Sequence, residues 1–372
     1  MPESHVAAGS ASLPSARRAA SGLPAPSFLR ERLKYAIIRA GLEASALFRT
    51  HALLPGLGGR GVIFTLHHVA PAERRRFRPN AGLTVTPGFL EQAVLAAREC
   101  GLVPVHLHEL PALLADPADR RRFVVFTLDD GYRDNAAFAA PVFRRHAVPY
   151  TIFLTGGFVE RQRTIWWETA AALLERASAI ILDFGAGPER VETATLAQKR
   201  AAFARLEALV GAIDEDEAVA RIDQAARRAG VDPMAIVDQL VMGESEIRAL
   251  AEDPLAHFGA HTLSHVNLRR VGAERLRCEV EGSARAVARY AGRRARSFAY
   301  PYGWARAAGA REAQAVREAG FPVAVTTRPG VLSADCLRQP ALLPRVSLNG
   351  HFQAKRHVKA LISGLPLALA RG

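Results

Sequence analysis

The stretch "FTLDDGYRDN", residues 126–135, sets two aspartates side by side where the apolar run 123–128 ends. A short run of aromatic and β-branched residues bounded by turn residues reads as a buried strand. An ionised carboxylate leaves water only when it is paired, hydrogen-bonded or bound to a cation, so Asp129 and Asp130 require partners at the strand's end. Neighbouring strand side chains point to opposite faces, and both carboxylates reach one site only if the chain turns straight after them. Gly131 makes such a turn accessible.

Working outward, further β-rich runs occupy 62–67, 102–107, 150–155, 257–261, 297–300, 323–327 and 344–348. Helical patterns lie between several of them, at 87–100, 135–146, 273–290 and 305–319. In 273–290, Leu276, Val280, Ala284 and Val287 form the stripe of a helix lying on a sheet. Alternation of strand and helix implies a parallel sheet, and this many units points to an α/β barrel. The rhythm breaks over 161–246, which is rich in Ala, Glu and Arg and includes "KRAAFARLEALVGAI" at 199–213. This reads as a helical insertion within the barrel. The expected organisation is a disordered tail (1–25), an N-terminal amphipathic helical segment (26–56), two barrel parts (57–160 and 247–350) flanking the insertion, and a C-terminal tail (351–372).

The formal charge of +13 raises the question of nucleic acid, but 45 of the 49 basic residues are arginines scattered over nearly every segment. Scatter without a stripe argues against a nucleic-acid partner. Cys100, Cys278 and Cys336 lie far apart and define neither a disulfide framework nor a zinc ribbon. No secretory signal or spanning segment is evident, so the expected location is cytoplasmic, with association at a membrane surface as the alternative. That alternative rests on "FLRERLKYAIIRAGLEASALF" (28–48), where Leu33, Ile37, Leu42 and Leu47 recur at near-helical spacing among cations. Packing on the barrel accounts for the same pattern.

Groups at the C-terminal ends of barrel strands converge on one face. Asp129 and Asp130 stand at such an end, and "GAHTLSH" places His261 and His265 four residues apart after another. The histidine pair alone is common on solvated helices. Joined by Asp130 it becomes a set of two imidazoles and one carboxylate, which leaves coordination positions for water and substrate. A divalent ion there, zinc being expected for these donors, acidifies bound water and polarises a carbonyl. Asp129 is then placed to accept the proton. The competing structural role for the pair is an N-cap before the helix near Asn135, for which Asp134 and Asn135 are better placed. A third element, "RSFAYPYGW" (296–304), closes a strand into Pro301, Tyr302 and Gly303, a rigid turn suited to presenting backbone amides to an oxyanion. A plain strand-to-helix turn is its simpler reading.

In this order "TLDDG", "HTLSH" and "RSFAYPYG" resemble the first three motifs of the polysaccharide deacetylase family, also called carbohydrate esterase family four or the NodB-homology domain. "FTLHHV" (64–69) resembles the strand that opens many members, with Leu66 in place of tyrosine. The resemblance implies a distorted (β/α) barrel that hydrolyses an N-acetyl or O-acetyl group on a glycan. It implies Asp129 as base, Asp130, His261 and His265 as metal ligands, Arg296 orienting Asp129, and Tyr302 offering its amide to the oxyanion. The family's later Asp-Trp and Leu-x-His motifs have no clear match. Asp335 and Arg345 occupy the corresponding region, the latter in a P-R-[IV] variant, and the candidates for the general acid are His67, which is preferred, and His351. Trp166 and Trp167, together with Pro301, are candidate glycan contacts, core packing being the alternative for the tryptophans. Two other activities compete: a metal-independent amidohydrolase acting on a small cyclic amide, and a non-catalytic glycan-binding barrel.

Overall fold

The computed structural model of the chain describes residues 28–369; the expected tail at 1–25 lies outside them. Eight parallel strands form one sheet: β1 (Gly61–Leu66), β2 (Leu102–Pro104), β3 (Arg122–Leu128), β4 (Tyr150–Leu154), β5 (Ala256–Ala260), β6 (Ser297–Ala299), β7 (Val323–Val325) and β8 (Val346–Ser347). Each coincides with one of the predicted apolar runs. Their spatial order is β7-β6-β5-β4-β3-β1-β8, with β2 also paired to β3. The two ends of this path come together, because a parallel bridge between Val325 and Leu343 ties β7 to the segment that leads into β8. The sheet therefore curls into a distorted barrel whose seam is a bridge rather than a full ladder.

β1, β3 and β4 are buried on both faces, as all-parallel strands covered by helices must be. Phe64, Phe126, Tyr150 and Phe258 point into the helix-covered core, while Ile63, Val125, Phe153 and Val323 fill the barrel interior. The helix Ala273–Ala291 buries Leu276, Val280 and Val287 of the predicted stripe, and Gly292 ends it in the left-handed conformation.

Two expectations change. The 161–246 segment holds the helices Trp166–Arg176, Leu196–Ala212, Glu215–Arg228 and Pro233–Leu240, but also an antiparallel hairpin, Ala179–Asp183 with Pro188–Glu192. Residues 351–372 are not a plain tail either. The helix Lys355–Ile362 buries His357, Val358, Ala360 and Ile362, and a short helix, Leu365–Leu369, follows. Lys355–Ile362 packs between the N-terminal helix Phe28–Leu47 and the helix Pro87–Glu99.

Candidate active site

β3 delivers Asp129 and Asp130 to the C-terminal rim, and the chain then reverses through two left-handed residues, Asp130 (φ 73) and Gly131 (φ 72). Aspartate tolerates this conformation better than most residues, and a Cβ at Gly131 would lie 2.8 Å from Leu154. The reversal lets two successive carboxylates serve one site.

Beyond β5, residues 262–265 form a tight loop rather than a helical turn. Thr262 (φ 65) and His265 (φ 57) are left-handed, and the Thr262 hydroxyl accepts the His265 amide at 2.9 Å. Glu279, on the helix Ala273–Ala291, accepts the amides of Leu263 and Ser264 at 2.8 and 2.9 Å. So held, the loop aims both imidazoles at Asp130. Asp130 Oδ1 lies 3.6 Å from His261 Nε2 and 3.4 Å from His265 Nε2.

These spacings test whether the residues fit a cation. Ligand atoms about 2.0–2.1 Å from a tetrahedral zinc are about 3.3–3.4 Å apart, so both separations suit a shared ion and are too long for direct hydrogen bonds. One ligand atom from each of Asp130, His261 and His265 lies within 4.8 Å of the others, and all three residues are buried. Neither oxygen of Asp130 accepts a hydrogen bond. His261 donates Nδ1–H to the Ala299 carbonyl at 2.7 Å, which fixes the tautomer and leaves the Nε2 lone pair facing Asp130. Burial holds the imidazoles of His261 and His265 below their ordinary pKa, and therefore uncharged as ligands must be. For Asp130, burial and then the neighbouring Asp129 charge push the carboxyl up to about 8 when no cation is present. A cation is the partner this buried carboxylate lacks.

Asp129 has different surroundings. Burial acts to raise its pKa, yet the Arg345 guanidinium overrides this and holds the carboxyl well below the ordinary range. The pair is bidentate, Nη1 to Oδ1 and Nη2 to Oδ2 at 2.7 Å each. Arg345 itself is fixed by donation to the Thr326 carbonyl and the Thr127 hydroxyl.

The expected partner Arg296 does not orient Asp129. It is exposed and precedes β6, so it stands at the opposite, N-terminal rim, where its charge acts on His106, His108 and His257. At about 3.3 Å per strand residue, β6 and the residues after it separate Arg296 from the chemistry by roughly 10 Å or more. Arg345, entering β8 from the rim that bears the carboxylates, does the work expected of Arg296.

Tyr302 follows β6 with φ 61, and its backbone N–H donates to no group among the described residues. Pro301 is buried, and its carbonyl accepts the Gly303 amide at 2.6 Å. It shapes the turn rather than standing free for a ligand. His67 follows β1 half-buried, close enough for the charges of Asp129 and Arg345 to act on it; burial lowers its pKa to about 4.

Trp166 and Trp167 are buried and wall the site. Trp167 packs 4.8 Å from the His265 ring. Their indole N–H groups are committed to hydroxyls, Trp166 to Tyr302 at 3.1 Å and Trp167 to Tyr132 at 3.0 Å. Neither offers an open face of the kind a sugar contact needs. Trp304, by contrast, is half exposed, with its ring 5.2 Å from that of Tyr302.

Two further groups of residues border the site. Glu215, at the start of the inserted helix Glu215–Arg228, accepts the Tyr302 hydroxyl at 2.5 Å and the Asn267 amide at 2.9 Å. His68 is buried beside Asp134 (2.6 Å) and Glu168 (3.8 Å), and stacks on Tyr132 at 3.6 Å. Burial opposes its charge, but the two carboxylates raise its pKa to about 10. Sequence reading singled out neither group. An apolar-face glutamate within a helical insertion carries no motif, and the doubled histidine in "TLHHV" was the only available signal for His68.

Curled parallel barrel, paired aspartates, histidine loop and proline turn together define a hydrolase site of the deacetylase class. The family model for polysaccharide deacetylase matches residues 116–324, just over half of the chain, and the chain belongs to that family. No curated protein matches it. Among solved structures it is similar to the Streptococcus pyogenes deacetylase PplD in complex with acetate, with 15% identity over 78% of this chain and 93% of that one and a TM-score of 0.50. A polysaccharide deacetylase from Bacillus cereus is similar at 13% identity, covering 81% of this chain and 68% of that one, also with a TM-score of 0.50.

Proposed function

We propose that the chain is a metal-dependent deacetylase that removes N-acetyl groups from a glycan or glycan precursor. The observation that carries this reading is the buried convergence of Asp130, His261 and His265, with the Asp130 oxygens left without hydrogen bonds. These three would hold the ion, and two imidazoles with one carboxylate favour zinc. When bound, the ion supplies an acidified water and a polarised acetyl carbonyl.

The protein's own groups perform the remaining tasks. Asp129, kept ionised by Arg345, accepts the proton of the attacking water at a carboxylate oxygen. A base held so far down in pKa is weak, which fits a water already acidified at the site. The Tyr302 amide donates to the developing oxyanion, and its left-handed φ is what turns that N–H away from internal partners. His67 is uncharged at neutral pH in the free protein, and it protonates the departing amine after taking up a proton during turnover. Trp304 offers the exposed aromatic face against which a sugar ring stacks.

The test is acetate release from a panel of N-acetylated and O-acetylated oligosaccharides, before and after chelation and zinc return. The expected result is release from N-acetylated members, abolished by chelator and restored by zinc. Full activity after chelation would support the metal-independent amidohydrolase, and no release from any member would support a glycan-binding barrel.

A further inference from the structure

We propose that the outward face of the helix Phe28–Leu47, continued by the turn after it, seats the protein on a bilayer containing anionic lipid. This helix has two apolar faces. The inner one packs Tyr35, Leu42 and Ser45 toward Phe352 and the helix Lys355–Ile362. On the outer one, Leu33, Ile37, Ala40, Gly41, Ala44, Leu47 and Phe48 recur three or four residues apart, and every one is exposed. A surface helix packed on a domain ordinarily turns polar residues outward.

Leu33 is 60% exposed, Ile37 63%, Leu47 78% and Phe48 66%. The ridge continues beyond the helix into Leu53, Leu54 and Leu57, of which Leu53 is 71% exposed. Large contiguous apolar surface on a soluble chain marks an interaction face.

Charge selects the occupant. Lys34, Arg39 and Arg49 border the ridge, whereas the one nearby described carboxylate, Glu43, is neutralised by Arg356 and His357. With a formal charge of +13 on the whole chain, the face attracts an anionic surface. Among the described residues no helix is long and apolar enough to cross a membrane, so the ridge lies along the interface. The geometry also suits an enzyme that works there. Tyr35 packs 4.7 Å from the ring of His351, which follows β8 at the rim bearing the active site, so the ridge begins beside the site's mouth.

The test is co-sedimentation of the full chain with phosphatidylcholine vesicles, with and without phosphatidylglycerol, for wild type and for Ile37→Glu/Leu47→Glu. Both side chains are mostly exposed, so thermal unfolding and acetate release from a soluble oligosaccharide should match wild type and report intact folding. The expected result is binding that requires phosphatidylglycerol, weakens with salt and falls at least about tenfold in the double variant. The proposal is overturned if wild type stays in the supernatant or if the double variant sediments equally well. It is also overturned if the double variant instead abolishes a concentration-dependent dimer, which would assign the face to a second copy of this chain.

Discussion

Asp129 and Asp130 are adjacent in sequence and opposite in chemistry. Arg345 makes one an obligate anion, while burial and that anion push the other toward its neutral form until a cation arrives. The Arg345 pair is entirely buried, so its removal is costly. In Arg345→Ala an unpaired carboxylate would remain in the core, with an expected loss of about 3–5 kcal/mol of stability. Because the pKa of Asp129 is depressed, its pairing stabilises the fold above the ordinary carboxylate pKa, and that contribution is lost as pH falls through the lower folded value. Without Arg345 the carboxyl rises, and the acid limb of the acetate-release profile should move to higher pH. Arg296→Ala should leave both stability and profile unchanged. A profile shifted by Arg296→Ala but not by the Arg345 variant would reverse the assignment.

At the scale of elements, the insertion contributes to the site it interrupts. Glu215 begins an inserted helix yet holds the Tyr302 hydroxyl, and so braces the turn whose amide is offered to the oxyanion. Removing the brace should affect the transition state more than substrate binding. Glu215→Ala and Tyr302→Phe are each expected to lower kcat about tenfold, about 1.4 kcal/mol, with KM and bound metal little changed. Glu215→Gln, which keeps an acceptor, should recover most of the rate. A change in KM alone would make the contact structural only. This bracing was not legible in the sequence, because it joins residues 87 positions apart through side chains that no local pattern marks. The eight strands were legible, since runs such as 123–128 and 150–155 are apolar on both faces. The hairpin at 179–192 was not, because its second strand, "PERVE", is polar and mostly exposed and has no buried face to betray it. Arg345 and Arg296 illustrate the same limit. Both neighbour plausible motifs, and only strand direction shows which end of the barrel each one occupies.

Across the whole molecule, the rim opposite the active site gathers His106, His108 and His257, with ring centroids 5.1 Å apart for the first pair and 4.5 Å for the second and third residues. Burial, with Arg293, Arg296 and the other rings, lowers His108 to about 4 and His257 to about 3. Between the ordinary histidine value and those values the unfolded chain binds more protons than the folded one, so stability rises with pH across that window. Moving from about pH 7 to about pH 5 should therefore lower Tm by several degrees, about 2 °C for each kcal/mol in a chain of this size. In His108→Gln/His257→Gln that pH dependence should flatten. An unchanged slope would place the acid sensitivity elsewhere. The rim is acid-labile for the same reason that the opposite one suits a metal: apolar surroundings keep imidazole neutral.

The central claim is that one carboxylate holds an ion and its neighbour does not, and metal content measured alongside acetate release tests it most directly. In Asp129→Asn the bound zinc should stay near wild type while turnover falls by orders of magnitude. In Asp130→Ala both should be lost. Equal loss of metal from the two variants, or a wild-type protein that is active without any bound ion, would contradict the account.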